Sequence, residues 1–333
     1  TVHTRFILNV GNTTRHTRCK VPTYGSKDYH TTSCHVLATV VANTFDNSLD
    51  TRVTNAEALA CRAVDVRLAA CRAVEGNVSD NDILVCLAAG GLLLATLALL
   101  DAVLTANPNV VVVLSNGGAV ALPFRDRVPA IVEGWLLGQA GGGATADVLF
   151  GAVNPSGKLT ETIPLRLQDN PSYGNFPGEY GHVRYGEGLF VGYRWYDERE
   201  LDVAYPFGHG LSYTTFGYSD ASASLDEGGD ITVTLDVTNT GAVAGREVVQ
   251  LYTSLPGSSV QRPPRELKAF ASVDLQAGET RPVTLTVRAH DLAYWDVRVD
   301  RWVVEGGAYT VEVGASSRDL RATATVGVAG DTV

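Results

Sequence analysis

Three groups of residues combine types and spacing that could do chemistry. The first is His16, Cys19, His30, Cys34 and His35. A structural zinc site needs a tight pair of ligands at each end, and His16-x-x-Cys19 with His30-x3-Cys34 is irregular. Ordinary loop residues is the reading that spacing favours, so no metal is expected. The second is Gly138-x-x-Gly141-Gly142-Gly143, which could suggest a phosphate cradle. It lacks both the G-x-G-x-x-G spacing and the Lys-Ser/Thr of a P-loop, and reads as the turn that starts a helix. The third is Gly208-His-Gly-Leu-Ser212, where His209 and Ser212 could suggest an esterase. No Gly-x-Ser-x-Gly elbow surrounds any serine. Asp197, Glu198 and Glu200 form an acidic run with the look of a solvated face, with Asp197 itself read as structural.

The elements that would position such residues are clearest over 107–159. Val110-Val-Val-Val-Leu114, led in by Asn107-Pro-Asn109 and closed by Ser115-Asn-Gly-Gly118, is a short β-branched run between turn residues. Such a run predicts a strand buried on both faces, the habit of parallel sheets. Leu93, Leu97, Leu100 and Leu104 recur at helical spacing before Pro108. Ile131, Trp135 and Leu136 predict a second helix, and 144–150 a third. Helix, buried strand and helix make the unit of an α/β layered sheet. Strands are also expected at 5–10, 83–87 and 158–163, a helix at 56–73, and either a strand or a short helix at 34–42.

Composition narrows the function classes. Acidic residues outnumber basic ones by 36 to 26, and a net charge of −10 argues against a nucleic-acid partner. With 45% apolar and 19% charged residues the chain is globular, and 333 residues suffice for two domains. The stretch 83–100 carries no charge, but Asp80, Asp82 and Asp101 flank it and Gly90-Gly91 splits it; strand, turn and helix explain it better than a membrane span. The five cysteines all fall within the first 86 residues and establish no disulfide framework. Asn12-Thr-Thr14 and Asn77-Val-Ser79 fit the N-glycosylation pattern. The compartment stays open, with secretion slightly favoured over the cytoplasm. The absence of Met, even at position 1, suggests a processed chain or a fragment.

From 166 to 210 the character changes to proline, glycine and aromatics, as in Asn170-Pro-Ser-Tyr-Gly-Asn-Phe-Pro-Gly-Glu179, which reads as a functional or bridging loop. Beyond Phe216 the period becomes two. Ile231, Val233, Leu235 and Val237 alternate with Thr232, Thr234, Asp236 and Thr238, and similar alternation returns at 283–288 and 309–313. Several such strands predict a β-sandwich of immunoglobulin-like type with a boundary near 215.

Taken in order, these segments resemble the C-terminal half of family 3 glycoside hydrolases, the β-glucosidases and their relatives. The resemblance is carried by Ala106-Asn-Pro-Asn-Val-Val-Val-Val-Leu114, Gly138-Gln-Ala-Gly-Gly142, Ala146-Asp-Val-Leu-Phe-Gly151, Asn154-Pro-Ser-Gly-Lys-Leu159, Tyr185-Gly-Glu-Gly188 and Tyr205-Pro-Phe-Gly-His-Gly-Leu-Ser-Tyr-Thr-Thr-Phe216. In the sandwich, Val248-Val-Gln-Leu-Tyr252, Arg262-Pro-Pro-Arg-Glu-Leu-Lys268 and Trp295-Asp296 are similar to the family's fibronectin type III-like module. The implied fold class is an α/β layered sandwich (1–165), a Pro/Gly/aromatic connector (166–214) and an all-β immunoglobulin/fibronectin type III-like sandwich (215–333).

The resemblance also implies a chemistry. The family retains anomeric configuration with two carboxyl groups, which requires them about 5–5.5 Å apart. An Asp nucleophile comes from an N-terminal (β/α)8 barrel, which these residues do not contain, so the barrel is expected as a partner domain or chain. The Glu acid/base is expected on the loop before Ile83, where Val74-Glu75-Gly76-Asn77 makes Glu75 the candidate; a solvated loop Glu is the competing reading. Tyr180, Arg184, Tyr185 and Trp195 could line a substrate site, since pyranose faces stack on aromatics, or could wedge two domains together. The implied function is hydrolysis of terminal non-reducing β-D-glucosyl residues from a β-glucoside or oligosaccharide, with no cofactor. A non-catalytic carbohydrate-binding or scaffolding protein without the barrel is the alternative, and a permuted domain order a third reading.

Overall fold

The computed structural model describes residues 5–8, 38–40, 83–87 and 93–331. Glu75, the His and Cys residues at 16–35, and the helix expected at 56–73 lie outside the described residues. The chain divides into two compact units, one of residues 1–117 and 124–153, the other of 118–123 and 154–333.

The first unit is built on five parallel strands: β1 (Arg5–Leu8), β2 (Ala38–Val40), β3 (Ile83–Leu87), β4 (Val110–Leu114) and β5 (Ala130–Glu133), in the order β1-β5-β4-β3-β2. Val112 pairs with Val85 on one side and Ile131 on the other, which places β4 at the centre. Its apolar run is buried accordingly, with Val110, Val112, Val113 and Leu114 all out of solvent. Helix α1 (Leu93–Ala106) leads into β4 and buries Leu100. It closes on a bond from the Asn107 amide to the Val103 carbonyl, and the Asn107 side chain then accepts the Asn109 amide at 2.8 Å to start the strand. Helix α2 (Gly141–Leu149) follows the glycine-rich turn, whose role is the helix start expected of it.

Two expectations need correction here. Residues 131–136 are not a helix: Ile131 belongs to β5, fully buried between β4 and β1. Its spacing to Trp135 and Leu136 imitated a helical face because a short apolar run carries no decisive period. The strand expected at 158–163 shrinks to β6 (Ile163–Pro164), which pairs with β7 (Val203–Tyr205). Ahead of it, Leu159 is held by single bonds, its amide to the His209 carbonyl at 2.8 Å and its carbonyl to the Gly208 amide at 2.7 Å.

The second unit ends in the sandwich. One sheet is β11 (Glu266–Leu275), β10 (Gly245–Ser254), β15 (Gly307–Ser316) and β16 (Asp319–Val328); the other is β12 (Thr280–Val287), β9 (Ile231–Asn239) and β8 (Phe216–Leu225). The period-two pattern does what it must. Ile231, Val233, Leu235 and Val237 from one sheet meet Val249, Leu251, Val311 and Val313 from the other in a single core, while the threonines between them face outward. A separate hairpin, β13 (Tyr294–Asp296) and β14 (Arg301–Val303), joins neither sheet.

The connector is fixed to this sandwich through helix α3 (Tyr193–Glu198) and the segment after it. The Tyr193 ring stacks on Phe207 at 4.8 Å, and its hydroxyl accepts the Leu267 amide at 2.7 Å. Gln250, buried on β10, donates to the Gly208 and Ala315 carbonyls and accepts the Tyr252 hydroxyl at 2.6 Å. Gly208 has φ +78°, and a Cβ there would lie 2.0 Å from the Gln250 Oε1, so this close approach requires glycine.

Candidate functional site

In open α/β sheets, loops that meet ligands gather at the carboxyl ends of the parallel strands. In the first unit two of those ends are adjacent, Leu114 on β4 and Glu133 on β5. The Gly134 amide donates to the Leu114 carbonyl at 2.9 Å, which draws the two exits together. A Cβ on Gly134 would stand 3.0 Å from that same carbonyl oxygen.

The turn after β5 is braced from two sides. The Glu133 carboxylate accepts the Trp135 amide at 2.9 Å, and the Ser115 hydroxyl donates to the Trp135 carbonyl at 3.1 Å. Trp135 itself has φ +49°, a strained conformation for a bulky residue that persists only where its surroundings hold it. Glu133 is 1% exposed, and Asn116 beside Ser115 is likewise buried. A buried carboxylate at a strand exit, a strained Trp and two polar braces form a rigid rim. Sequence reasoning missed it, because reading 131–136 as a helix put Glu133 on no particular face. The signal was available in Ala130-Ile-Val-Glu-Gly-Trp135: a buried-strand pattern that ends on a charge, followed by glycine.

In the second unit the aromatic connector presents a different kind of surface. Glu179 and His182 exchange backbone bonds of 3.0 and 2.9 Å, closing a two-residue turn with Tyr180 and Gly181 both at positive φ. This is the primed-turn geometry that matches the strand twist of a hairpin. Gly178 enables it: with φ +88°, its Cβ would fall 2.0 Å from the His182 carbonyl oxygen. The turn displays Tyr180 with 99% of its surface in solvent, and Tyr185 follows at 86%. Phe176 and Arg184 are exposed as well.

Of the four residues expected to line a substrate site, Tyr180, Arg184 and Tyr185 therefore lie on one solvent-facing segment. Trp195 is placed differently. On α3, its indole N–H donates to the Asp169 carbonyl at 3.0 Å, and the Arg199 guanidinium lies over its ring at 4.7 Å. Those contacts tie Trp195 to other residues of its own segment, 166–214. Neighbouring Tyr196 is buried, and burial, with Asp169 and Glu161 nearby, pushes its hydroxyl up to about 12, so it stays protonated.

The other constellations resolve into structural roles. Ser212 donates to Asn154 Oδ1 at 2.9 Å, while His209 stacks on Tyr205 at 5.3 Å. Burial, helped by the Lys158 charge, lowers the His209 imidazole to about 4, which keeps it neutral at pH 7. Asp197 is ion-paired with Arg265 and Arg318, as befits a structural residue. Among the described residues no group of three or more His, Cys, Asp or Glu could hold a metal. Among them, too, no helix is long and apolar enough to cross a membrane.

Comparison with known proteins places this geometry. Residues 10–213 match the glycosyl hydrolase family 3 C-terminal domain, and residues 247–317 a fibronectin type III-like domain. The chain is 51% identical over 225 residues to the thermostable beta-glucosidase B of Acetivibrio thermocellus, covering 67% of this chain and 30% of that protein. It is 48% identical over 236 residues to an exo-alpha-(1->6)-L-arabinopyranosidase of Bifidobacterium longum, covering 71% and 31%. Among solved structures, the GH3 beta-glucosidase of Bifidobacterium adolescentis superposes with a TM-score of 0.73 at 42% identity, over 85% of this chain and 43% of that one. The chain thus spans under a third of the length of these curated relatives.

Proposed function

Because the chain belongs to glycosyl hydrolase family 3, we propose that it forms one wall of the sugar-cleaving cleft of a retaining β-glycosidase acting on terminal non-reducing β-D-glucosyl residues. The facing wall in this reading is a (β/α)8 barrel that carries the Asp nucleophile, as a further domain or a separate chain. A retaining reaction needs a second carboxyl group to protonate the leaving oxygen and then activate water, about 5–5.5 Å from the nucleophile. Glu75 is the candidate for that task. It stands eight positions ahead of Ile83, so the chain enters β3 after it. Glu133 and Ser115 hold the turn after β5 in shape and are not asked to transfer protons.

The observation that carries the reading is the hairpin at 178–182. A tyrosine shown wholly to solvent, on a backbone turn that needs glycine at 178 and a positive φ at Tyr180, is a surface made to be covered. Tyr180, Arg184 and Tyr185 meet the sugar or the barrel; an aromatic face and a guanidinium suit either contact. The arabinopyranosidase relatives, at similar identity to the β-glucosidases, indicate that this scaffold accompanies more than one sugar preference.

The test is reconstitution. The chain is assayed on a chromogenic β-glucoside alone and then mixed with a family 3 barrel domain. The reading expects no turnover alone and turnover with the barrel. Turnover by the chain alone, or a stable complex that cleaves nothing, overturns it. An intact mass of native material well above 35.3 kDa, or a co-purifying chain of barrel size, is the corresponding sign in the source cell.

A further inference from the structure

The hairpin of β13 and β14 sorts its side chains by face. Asp296 and Val303 point inward and are buried, with Leu292 of the preceding turn packed into the sandwich core. Trp295 and Trp302 occupy directly opposed positions on the other face. Their rings cross at 81° with centroids 5.8 Å apart, and His290 adds a third ring 6.2 Å from Trp302. Cross-strand stapling explains the contact between the indoles. It does not explain why they remain 47% and 56% exposed, with Val297 and Val299 open on the connecting turn.

The hairpin does not depend on that staple. Asp296 accepts the Arg298 amide at 2.9 Å and its Nε at 3.0 Å, and the Tyr294 hydroxyl at 3.2 Å. The Arg298 bonds hold the Asp296 carboxyl well below the usual carboxylate range, so this brace persists across ordinary pH. Lys268 and Arg262 donate to the Asp291 and Leu292 carbonyls at 2.7 and 3.1 Å, tying the preceding turn to the sandwich. The aromatic face is therefore mounted on a rigid base and left open.

The surroundings specify what such a face can take. Arg288 is paired with Asp291 and Arg298 with Asp296, so neither arginine is an open cation that would recruit an anion, and the chain as a whole is acidic. Arg288 and Asp291 form a fixed two-bond pair of 2.9 and 3.0 Å beside His290, which offers donors and acceptors next to the rings. Ring faces flanked by preorganised, paired polar groups suit a neutral ligand with an apolar face and a hydroxyl rim. We propose that the Trp295–Trp302 hairpin binds a neutral oligosaccharide chain by stacking a pyranose face on the open surface of one indole while the crossed second indole walls the site, holding the fibronectin type III-like sandwich to polymeric carbohydrate.

The experiment needs only this chain and no catalytic activity, so its outcome is separable from the reconstitution above. Cellohexaose and laminarihexaose are titrated in turn while the indole N–H resonances are followed by NMR. The proposal expects saturable shifts at Trp295 and Trp302, with Trp135 and Trp195 unmoved. Trp295→Ala and Trp302→Ala should each weaken binding by at least about tenfold, with Trp302→Phe closer to the parent. No shift with either sugar at millimolar concentration overturns the proposal, and so does binding that survives in both alanine variants. If the parent chain self-associates and Trp295→Ala abolishes that instead, the face is a protein contact and the proposal likewise fails.

Discussion

Asp197 and Arg318 stand 121 positions apart in sequence and meet at 2.9 Å, the Arg318 Nε donating to one carboxylate oxygen while Arg265 holds the other at 3.2 Å. Asp197 is the one side chain of the acidic run 197–200 that is largely out of solvent, and its two partners come from different strand connections of the sandwich. Removing the carboxylate leaves two guanidinium groups facing each other at a partly buried site. Asp197→Asn is therefore expected to cost about 2–3 kcal/mol, below the full cost of a deeply buried pair because both arginines keep some solvent. Urea denaturation checks this; a midpoint within error of the parent would remove Asp197 as the clamp.

Gly178→Ala tests the displayed hairpin. With a positive φ and the His182 carbonyl oxygen in the way, the substitution should open the turn, read as faster hydrogen exchange at the Glu179 and His182 amides. The global melting midpoint should barely move, because little of this segment is buried. Tyr180→Ala should leave stability unchanged, and in the reconstituted enzyme should raise KM or weaken assembly. If Tyr180→Ala alters neither, the tyrosine covers nothing.

His209 gives the fold an acid limit. Burial, then Lys158, lowers its folded value to about 4 against 6.5 when unfolded, with Asp319 opposing weakly. The unfolded chain therefore takes up the proton first. The stabilisation is complete above about pH 6.5 and declines as pH falls toward 4, by up to roughly 3 kcal/mol from this residue. His209→Gln should flatten that limb when unfolding free energy is plotted against pH. A parent-like acid limb in the variant would assign the loss to other groups.

Two carboxylates can be separated by kinetics. In the reconstituted enzyme, Glu75→Gln is expected to slow glycosidic cleavage by orders of magnitude if Glu75 is the acid/base. Glu133→Gln keeps an acceptor for the Trp135 amide, so its effect should stay within about tenfold. Unchanged activity in Glu75→Gln removes that residue. A collapse in Glu133→Gln would move the search to the strand exits.

Much of the fold was legible. Val110–Leu114 is bracketed by turn residues and its burial follows from its β-branched run, and the alternation at 231–238 places each residue on the correct face. What failed did so for physical reasons. Four residues, Ala130–Glu133, are too few to show a period, so a buried parallel strand passed for the start of a helix and hid Glu133. Nor does any residue type announce a positive φ at Tyr180 or Trp135: it is held by the backbone bonds between Glu179 and His182 in one case, and by Glu133 with the distant Ser115 in the other. The aromatic content of the connector was plain from composition, but its division into displayed tyrosines and a tucked-in Trp195 depends on partners as distant in sequence as Asp169.

The interlock of Gly208 with Gln250 bears on protein engineering. A side chain at one position cannot coexist with the amide at the other, so shuffled genes that cross over near 215 would pair one parent's glycine loop with another parent's strand and inherit the clash wherever those two positions differ. Crossovers just ahead of Asn154 carry loop and strand together, and libraries cut there should yield far more soluble chimeras.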